Sequence, residues 1–387
     1  MPEGTAVHIG MVATEPSGDQ LGAHLIAALN AQRPGLRFSG IGGPKMIAQG
    51  LDSDVAMERL GVRGYSEVLR RYREIVGIRR RLGERLLRER PAAFIGIDSS
   101  DFNLDLARRF KSAGIPAIQY VSPAIWAWRG WRRRRIVQSL THLLAIYPFE
   151  PALYEKDGLP VTYVGHPLAD VIPFDPDKHQ ARMELRIPAG QRTIALLPGS
   201  RRSELLHMSD LFVQTARRLL QDLPDAHFIV PTVSRTTREL FEAALRRHDA
   251  MDLPIKLLFG HSHEALAAAD LALVASGTAT LECALFKTPL VITYRQAMVN
   301  WMLMRRMAYL PHIGLPNILA GEYVVPEFVQ DKATPGALAD ALLELSNDAD
   351  ARRRQVEKFH QIHAALRQNT AQKAAQAVLA VIDAGCH

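Results

Sequence analysis

Two small-residue turns in this 387-residue chain each follow an apolar run and open a helix-like segment. In the first, residues 271–275 are an apolar run of strand length. Ser276, Gly277 and Thr278 then turn tightly, and 279–286 reads as a helix. A strand ending this way leaves unpaired backbone N–H groups at the helix's first turn. With the positive end of the helix dipole, those of Gly277, Thr278, Ala279 and Thr280 favour a phosphate or diphosphate. Glu282 lies one turn further in, where a carboxylate accepts hydrogen bonds from a ribose. The same residues also suit an ordinary capped helix, so the stretch alone leaves both readings open. The second turn is Leu197-Pro198-Gly199-Ser200-Arg201. Gly199 and Ser200 let amides face an anion, and Arg201 adds a fixed charge with bidentate geometry. Its alternative is a helix start with a solvated arginine. Two such cradles in one half point to a diphosphate, as in a nucleotide sugar. Neither carries the Gly-Lys-Ser/Thr of a P-loop, and no G-x-G-x-x-G occurs, which disfavours ATP hydrolysis and dinucleotide chemistry.

The first half offers a different group. Asp98 ends the apolar run 94–97 and is followed by Ser99, Ser100, Asp101, Phe102 and Asn103. A carboxylate there is either a helix cap or a buried general base. Asp101 and Asn103 compete for the cap, which leaves Asp98 for chemistry. Polar turns at 14–19, with Glu15 and Ser17, and at 40–45 follow other strand-like runs. Metal sites are not expected. Asp175-Pro176-Asp177 and Asp348-Ala349-Asp350 have D-x-D spacing but sit in a proline-rich stretch or between helices. His261, His263 and Glu264 lack a third ligand partner in sequence. No cofactor is expected either.

These residues need a scaffold. Strand-like runs at 7–13, 37–41, 92–98, 116–121, 143–147 and 161–164 alternate with helical periodicity, as do 193–197, 226–231, 255–258, 271–275 and 289–294. Such alternation predicts doubly wound parallel sheets, and in open sheets of this kind ligands sit beyond the strands' carboxyl ends. The expected domains are 1–175, 176–347 and a helical tail, 348–387, with little interruption over 349–384. That tail docks on the first domain or on a second copy in a homodimer. Only two cysteines occur, so no disulfide framework is expected, and no apolar run approaches the ~20 residues of a membrane span. The net charge of +7 points to an anionic partner. Residues 125–135 hold three of the four tryptophans (Trp126, Trp128, Trp131) against five arginines, among them Arg132, Arg133, Arg134 and Arg135. That mixture suits an anionic membrane interface, single-stranded nucleic acid, or a core tryptophan pair before a solvated basic helix. The amphipathic, arginine-covered segment 66–90 favours the membrane.

Taken in chain order, these motifs resemble the lipid-A-disaccharide synthase family of inverting GT-B glycosyltransferases. The matching residues are Glu15 with Ser17, Gly18 and Asp19; Gly40, Gly42 and Gly43 with Pro44; Asp98 with Asp101, Phe102 and Asn103; and Tyr120, Ser122 and Pro123 with Trp126, Trp128 and Arg129. They continue through Phe149 with Glu150, Gly165-His166-Pro167 with Asp170, 197–201 with Glu204, 275–282, Pro316-Asn317, and Glu327-Phe328 with Gln330. Thr14, Pro16 and Ser100 depart from the family's usual pattern.

The resemblance implies two Rossmann-like domains facing a cleft, acceptor on the first and nucleotide on the second. It implies transfer of 2,3-diacylglucosamine from UDP to the 6-hydroxyl of 2,3-diacylglucosamine 1-phosphate (lipid X), without a metal. The products are a β-1,6-linked disaccharide 1-phosphate and UDP. Asp98 would be the base; Ser200, Arg201, Ser276 to Thr280 and Glu282 would hold UDP, joined by Asn317 and Gln330. Such enzymes work peripherally at the cytosolic face of the inner membrane of Gram-negative bacteria. Other enzymes of this architecture, a lipid-linked cell-wall glycosyltransferase or a UDP-sugar 2-epimerase, share the two cradles. A nucleic-acid-binding protein explains the charge but neither Asp98 nor the cradles, and no nucleic-acid partner is expected.

Overall fold

The computed structural model describes residues 7–60, 65–126, 130–296 and 312–385. The chain divides into two compact units: 1–170 with 366–387, and 171–365.

In unit 1, seven strands form one parallel sheet: β1 (His8–Ala13), β2 (Arg37–Ile41), β3 (Leu51–Ser53), β4 (Ala93–Ile97), β5 (Ala117–Tyr120), β6 (His142–Ala145) and β7 (Val161–Tyr163). Their order is β3-β2-β1-β4-β5-β6-β7. The apolar runs of β1 and β4 are buried because helices cover both faces of a doubly wound sheet. Phe94 of β4 stacks on Phe110 of the helix Ser100–Ser112, ring centroids 4.5 Å apart. Ile78, Leu82 and Leu86 of the helix Tyr65–Glu89 enter the same core. Ala13 of β1 pairs with Ile97 of β4, so Thr14 and Asp98 leave the sheet side by side.

Unit 2 repeats the plan with β8 (Thr193–Leu197), β9 (His227–Thr232), β10 (Ile255–Phe259), β11 (Leu271–Ala275), β12 (Leu290–Tyr294) and β13 (Glu327–Val329). The order is β10-β9-β8-β11-β12-β13, all parallel. The strand order reverses beside β1 and beside β8. A crevice therefore opens at the β1/β4 ends in unit 1 and at the β8/β11 ends in unit 2, the positions where such sheets bind ligands. Two βα turns meet at each.

Three expectations need correction. β3 and β13 were absent from the sequence reading; each is a three-residue edge strand that includes a carboxylate, Asp52 or Glu327, so no apolar run marks it. The tail is not one helix. It breaks between Ala349–Leu366 and Thr370–Ala384, at Asn369 with φ 53°. The Asp170 carboxylate accepts the N–H groups of Asn369 and Thr370 at 3.0 and 2.7 Å, an acceptor a continuous helix would not need. The units accordingly divide at 170/171 and 365/366. The final helix packs on the helix Pro16–Gln32 of its own unit, where Arg33 meets Asp383 at 2.7 Å. The D-x-D pairs are caps: Asp177 Oδ1 accepts Gln180 N–H, and Asp348 Oδ1 accepts Ala351 N–H.

Candidate active site

In unit 1, β4 ends by reversing its backbone. Asp98 and Ser99 both take left-handed conformations, φ 54° and 32°. Non-glycine residues avoid that region, and neighbours must hold them there. Thr14 at the end of β1 donates its hydroxyl to Ser99 Oγ at 2.6 Å. Ser17, in the first turn of the helix Pro16–Gln32, donates to Asp98 Oδ2 at 3.0 Å. Asp98 is half-buried with its carboxylate at the strand end, so it is not the fully buried base the sequence suggested. It does not cap the helix; Ser99 is the N-cap, without a side-chain cap bond.

The other first-half residues divide. Glu15 is the exposed N-cap of its helix and makes no cap bond through its side chain. Asp101 is 76% exposed and paired with Arg132. Asn103 is wholly buried, its Nδ2 donating to the carbonyls of Ile97 and Asp98 at 3.3 and 3.1 Å. It therefore supports the loop from behind and does not line its face. Asp19 takes three amide N–H groups, from Gly43, Lys45 and Met46, and so fixes the 40–45 turn. Gln119 on β5, which the sequence reading missed, donates to the Asp98 carbonyl at 2.7 Å. A buried glutamine in a strand has no local sequence signal.

In unit 2, the two cradles differ. The Glu204 carboxylate accepts the N–H groups of Ser200 and Arg201 at 2.8 and 3.1 Å, closing a capping box at the helix Arg202–Leu219. Gly199, at φ 123°, lets that carboxylate in; a Cβ there would meet Glu204 Cβ at 2.6 Å. The expectation that the Gly199 and Ser200 amides face an anion is thus corrected at Ser200: the chain's own carboxylate occupies that amide, and that of Arg201 as well. The Arg201 side chain stays 72% exposed and reaches Glu204 at 3.3 Å.

The second cradle is open. Ser276 N–H continues the sheet to Thr293 O, and its hydroxyl donates to Ile313 O at 2.9 Å. Thr280 is buried and folds its hydroxyl back on Gly277 O. Among the described residues, the N–H groups of Gly277, Thr278 and Ala279 donate to nothing, at the start of the helix Thr278–Leu285. That leaves them for an anion. Glu282 sits one turn in, beside His263 Nε2 at 3.7 Å. Burial raises its carboxyl above the ordinary range, and the His263 charge works against that. His263 itself was read only as a failed metal ligand; among the described residues no three His, Cys, Asp or Glu side chains gather into a metal site.

Two second-half residues are corrected by their bonding. Asn317 is fully buried with its amide engaged on both sides. Its Oδ1 accepts Val324 and Val325 N–H, and its Nδ2 donates to Val325 O and Glu327 Oε1, all at 2.8 Å. Glu327 in turn accepts Ile313 and Gly314 N–H. Gln330 forms a two-way pair with the backbone of Gln296 at 2.8 and 3.2 Å. Among the described residues, both side chains are engaged in holding loops.

Comparison with known proteins decides what these geometries belong to. The family model described as Lipid-A-disaccharide synthetase matches residues 9–381. The lipid-A-disaccharide synthase of Dechloromonas aromatica (strain RCB) is 55% identical over 377 residues, 97% of this chain and 99% of that protein. The chain belongs to the lipid-A-disaccharide synthase family. It is a glycosyltransferase of lipid A biosynthesis. Its architecture is that of GT-B enzymes. CalG4, the calicheamicin glycosyltransferase, superposes with TM-score 0.62 at 15% identity, covering 98% of this chain and 99% of that one. UDP-GlcNAc 2-epimerase from Neisseria meningitidis bound to UDP-GlcNAc gives TM-score 0.63 at 11% identity, covering 98% and 100%.

Within this family member the described part of the tryptophan-arginine segment divides into packed and outward groups. Trp128 lies outside the described residues. Trp126 packs edge-on against Tyr147 and Phe149, centroids 6.0 and 5.4 Å away. The Arg132 side chain, only 9% exposed, is buried against Asp101. Arg133 pairs with Asp157 at 2.7 Å and Arg135 with Asp105 at 2.5 Å. Arg132 is therefore buried and not a surface contact, and the half-buried Trp126 ring is committed to aromatic packing. Trp131, 71% exposed, and Arg134 remain outward. The helix Tyr65–Glu89 likewise turns Ile78, Leu82 and Leu86 inward and pairs Arg79 and Arg85 with Asp105 and Asp54. Among the described residues no helix is long and apolar enough to cross a membrane.

Proposed function

We propose that this enzyme transfers 2,3-diacylglucosamine from UDP to the 6-hydroxyl of lipid X with inversion, releasing UDP. Asp98 takes the proton of the acceptor hydroxyl as it attacks the anomeric carbon. The open amides of Gly277, Thr278 and Ala279 and the Arg201 guanidinium receive the departing diphosphate, where preorganised dipoles stabilise the developing charge. Glu282, held beside His263, accepts from the ribose. The observation that carries the reading is the carboxylate held at the unit 1 crevice: Asp98 at a strand end, oriented by the Ser17 hydroxyl. Family membership supports UDP-sugar and lipid A precursor substrates.

The test is UDP release dependent on added lipid X, compared between the parent and Asp98→Asn. Release without lipid X would favour a different reaction class, and full turnover by Asp98→Asn would remove Asp98 as the base. Peripheral contact with an anionic cytosolic membrane face is part of the same reading. The net charge of +7 supports it, together with outward Trp131 and Arg134.

A further inference from the structure

Behind Asp98 lies a buried polar cluster that the reaction as proposed does not use. Gln119 and Asn103 are both completely buried within an otherwise apolar core. Gly96 of β4 lies opposite Gln119 of β5 in the sheet register. A Cβ on Gly96 would meet Asn103 Cβ at 2.7 Å and Gln119 Oε1 at 2.8 Å, so the strand makes room for both amides. Gln119 Nε2 donates to the Asp98 carbonyl at 2.7 Å and approaches those of Tyr120 and Val121 at 3.3 and 3.4 Å. Asn103 Nδ2 reaches the same Asp98 carbonyl at 3.1 Å, and Ile97 O at 3.3 Å.

The orientation of these amides is fixed by chemistry. Every near partner is a carbonyl, so only the NH₂ groups can face them. Among the described residues, that leaves Asn103 Oδ1 and Gln119 Oε1 buried without a partner. Burying an unsatisfied acceptor costs free energy, so a core built for stability alone would hold leucines here. What the amides provide is two donors on one carbonyl, the one belonging to a residue whose φ of 54° is unfavourable for aspartate.

We propose that Gln119, assisted by Asn103, is a positioning residue that aims the Asp98 carboxylate by clamping the Asp98 carbonyl. This rests on Asp98 being the base. With the carbonyl turned into the core, the Asp98 side chain leaves the strand towards Ser17. Released from the clamp, the peptide relaxes towards extended φ and swings the carboxylate away. A displacement of about 1 Å at a reacting group lowers turnover by roughly two orders of magnitude.

The experiment uses the full chain, UDP release with lipid X as acceptor, and concentrations corrected for the folded fraction. Gln119→Met keeps the length and removes the donor. It should lower kcat about tenfold to a hundredfold, with KM for both substrates within about twofold. In the Asp98→Asn background the same substitution should add nothing, because there is no base left to aim. An unchanged kcat in Gln119→Met overturns the clamp. So does a loss that simply multiplies with that of Asp98→Asn, since Gln119 then acts on something else. A loss in Gln119→Met with none in Asp98→Asn removes both the base and the clamp. A loss in Asp98→Asn alone leaves the base standing and removes only the clamp. If Gln119→Met does not fold, Gln119→Glu carries the test. A protonated glutamic acid still donates to the carbonyl, whereas a carboxylate repels it. Its kcat relative to the parent should therefore rise as pH falls, and a flat ratio overturns the inference.

Discussion

The Ser17 hydroxyl donates to Asp98 Oδ2 at 3.0 Å, joining the turn after β1 to the end of β4. These two turns flank the point where the strand order of unit 1 reverses. A serine there fixes which carboxylate oxygen stays free for a substrate hydroxyl. Ser17→Ala should lower kcat about threefold to thirtyfold while KM for lipid X changes less, as expected when a base loses orientation but keeps its chemistry. Steady-state kinetics at saturating donor checks this. A large KM effect with unchanged kcat would make Ser17 a binding group instead.

Glu204 gives a second contrast. Its carboxylate lies on the Ser200 and Arg201 amides and pairs with the Arg201 guanidinium. Glu204→Ala should cost about 1 kcal/mol of stability through loss of the helix cap, read as a lower urea midpoint. UDP affinity should hold or improve, because a carboxylate leaves the mouth of an anion site. Arg201→Ala should weaken UDP binding about tenfold or more by calorimetry. If Glu204→Ala weakens UDP as strongly, the pair acts as one binding unit.

Much of this was legible beforehand, for identifiable reasons. Most of the strands announce themselves because apolar runs in a parallel sheet are continuous, and Asp98 stands out as a carboxylate closing such a run. The open amides of 277–279 follow from turn chemistry, which is local, although those of Ser276 and Thr280 are taken by Thr293 O and Gly277 O. What sequence did not disclose depends on long-range pairing. Nothing near Arg132 says that its side chain will be buried and paired with Asp101 of another helix. Nothing near residues 199–201 distinguishes a vacant cradle from one filled by Glu204, since a capping box and an anion site look alike in sequence. Asn317 and Gln330 match family motifs, yet their amides close loops, and only the partner positions reveal it.

Asn317 makes that distinction testable. Four hydrogen bonds from one buried amide tie 324–327 together. Asn317→Ala leaves at least two amide N–H groups without an acceptor, at ~1–3 kcal/mol for each buried group. A fall in unfolding free energy of about 2–4 kcal/mol is expected in urea titration. UDP affinity of the folded protein should stay within a few-fold. A specific loss of UDP binding without destabilisation would return Asn317 to the donor site.

The surface reading separates outward from inward groups of one segment. Trp131→Ser with Arg134→Glu should reduce binding to vesicles containing anionic lipid at moderate salt, with the thermal midpoint nearly unchanged. Arg132→Ala should instead lower the midpoint, since the Arg132 side chain is buried and its loss opens a gap in the packing. Vesicle sedimentation alongside thermal melts checks both. Equal vesicle binding by the outward double variant would place the membrane contact elsewhere.

Glu150 should make the stability of unit 1 respond to pH near neutrality. It is buried beneath the aromatic group of Trp126, Tyr147 and Tyr154, and burial raises its carboxyl to about 7 from 4.5. The Ile146 and Tyr147 N–H groups, which donate to its Oε2, only partly offset this. The folded state thus holds a proton that the unfolded chain releases above 4.5. Its contribution is full below that value and falls as pH rises towards 7, by up to ~1.4 kcal/mol per unit. His166, stacked on Tyr147, runs the other way: burial lowers it to about 4 from 6.5, so stability is lost as pH falls through that range. Between 4.5 and 6.5 the two slopes oppose each other in the parent. Glu150→Gln keeps the shape and an acceptor but cannot ionise, leaving the His166 slope alone. Urea midpoints at pH 5, 6, 7 and 8 should show the variant gaining on the parent as pH rises from 5 to 7 and running parallel to it above 8. A constant difference across all four values would mean that Glu150 does not change its protonation on folding.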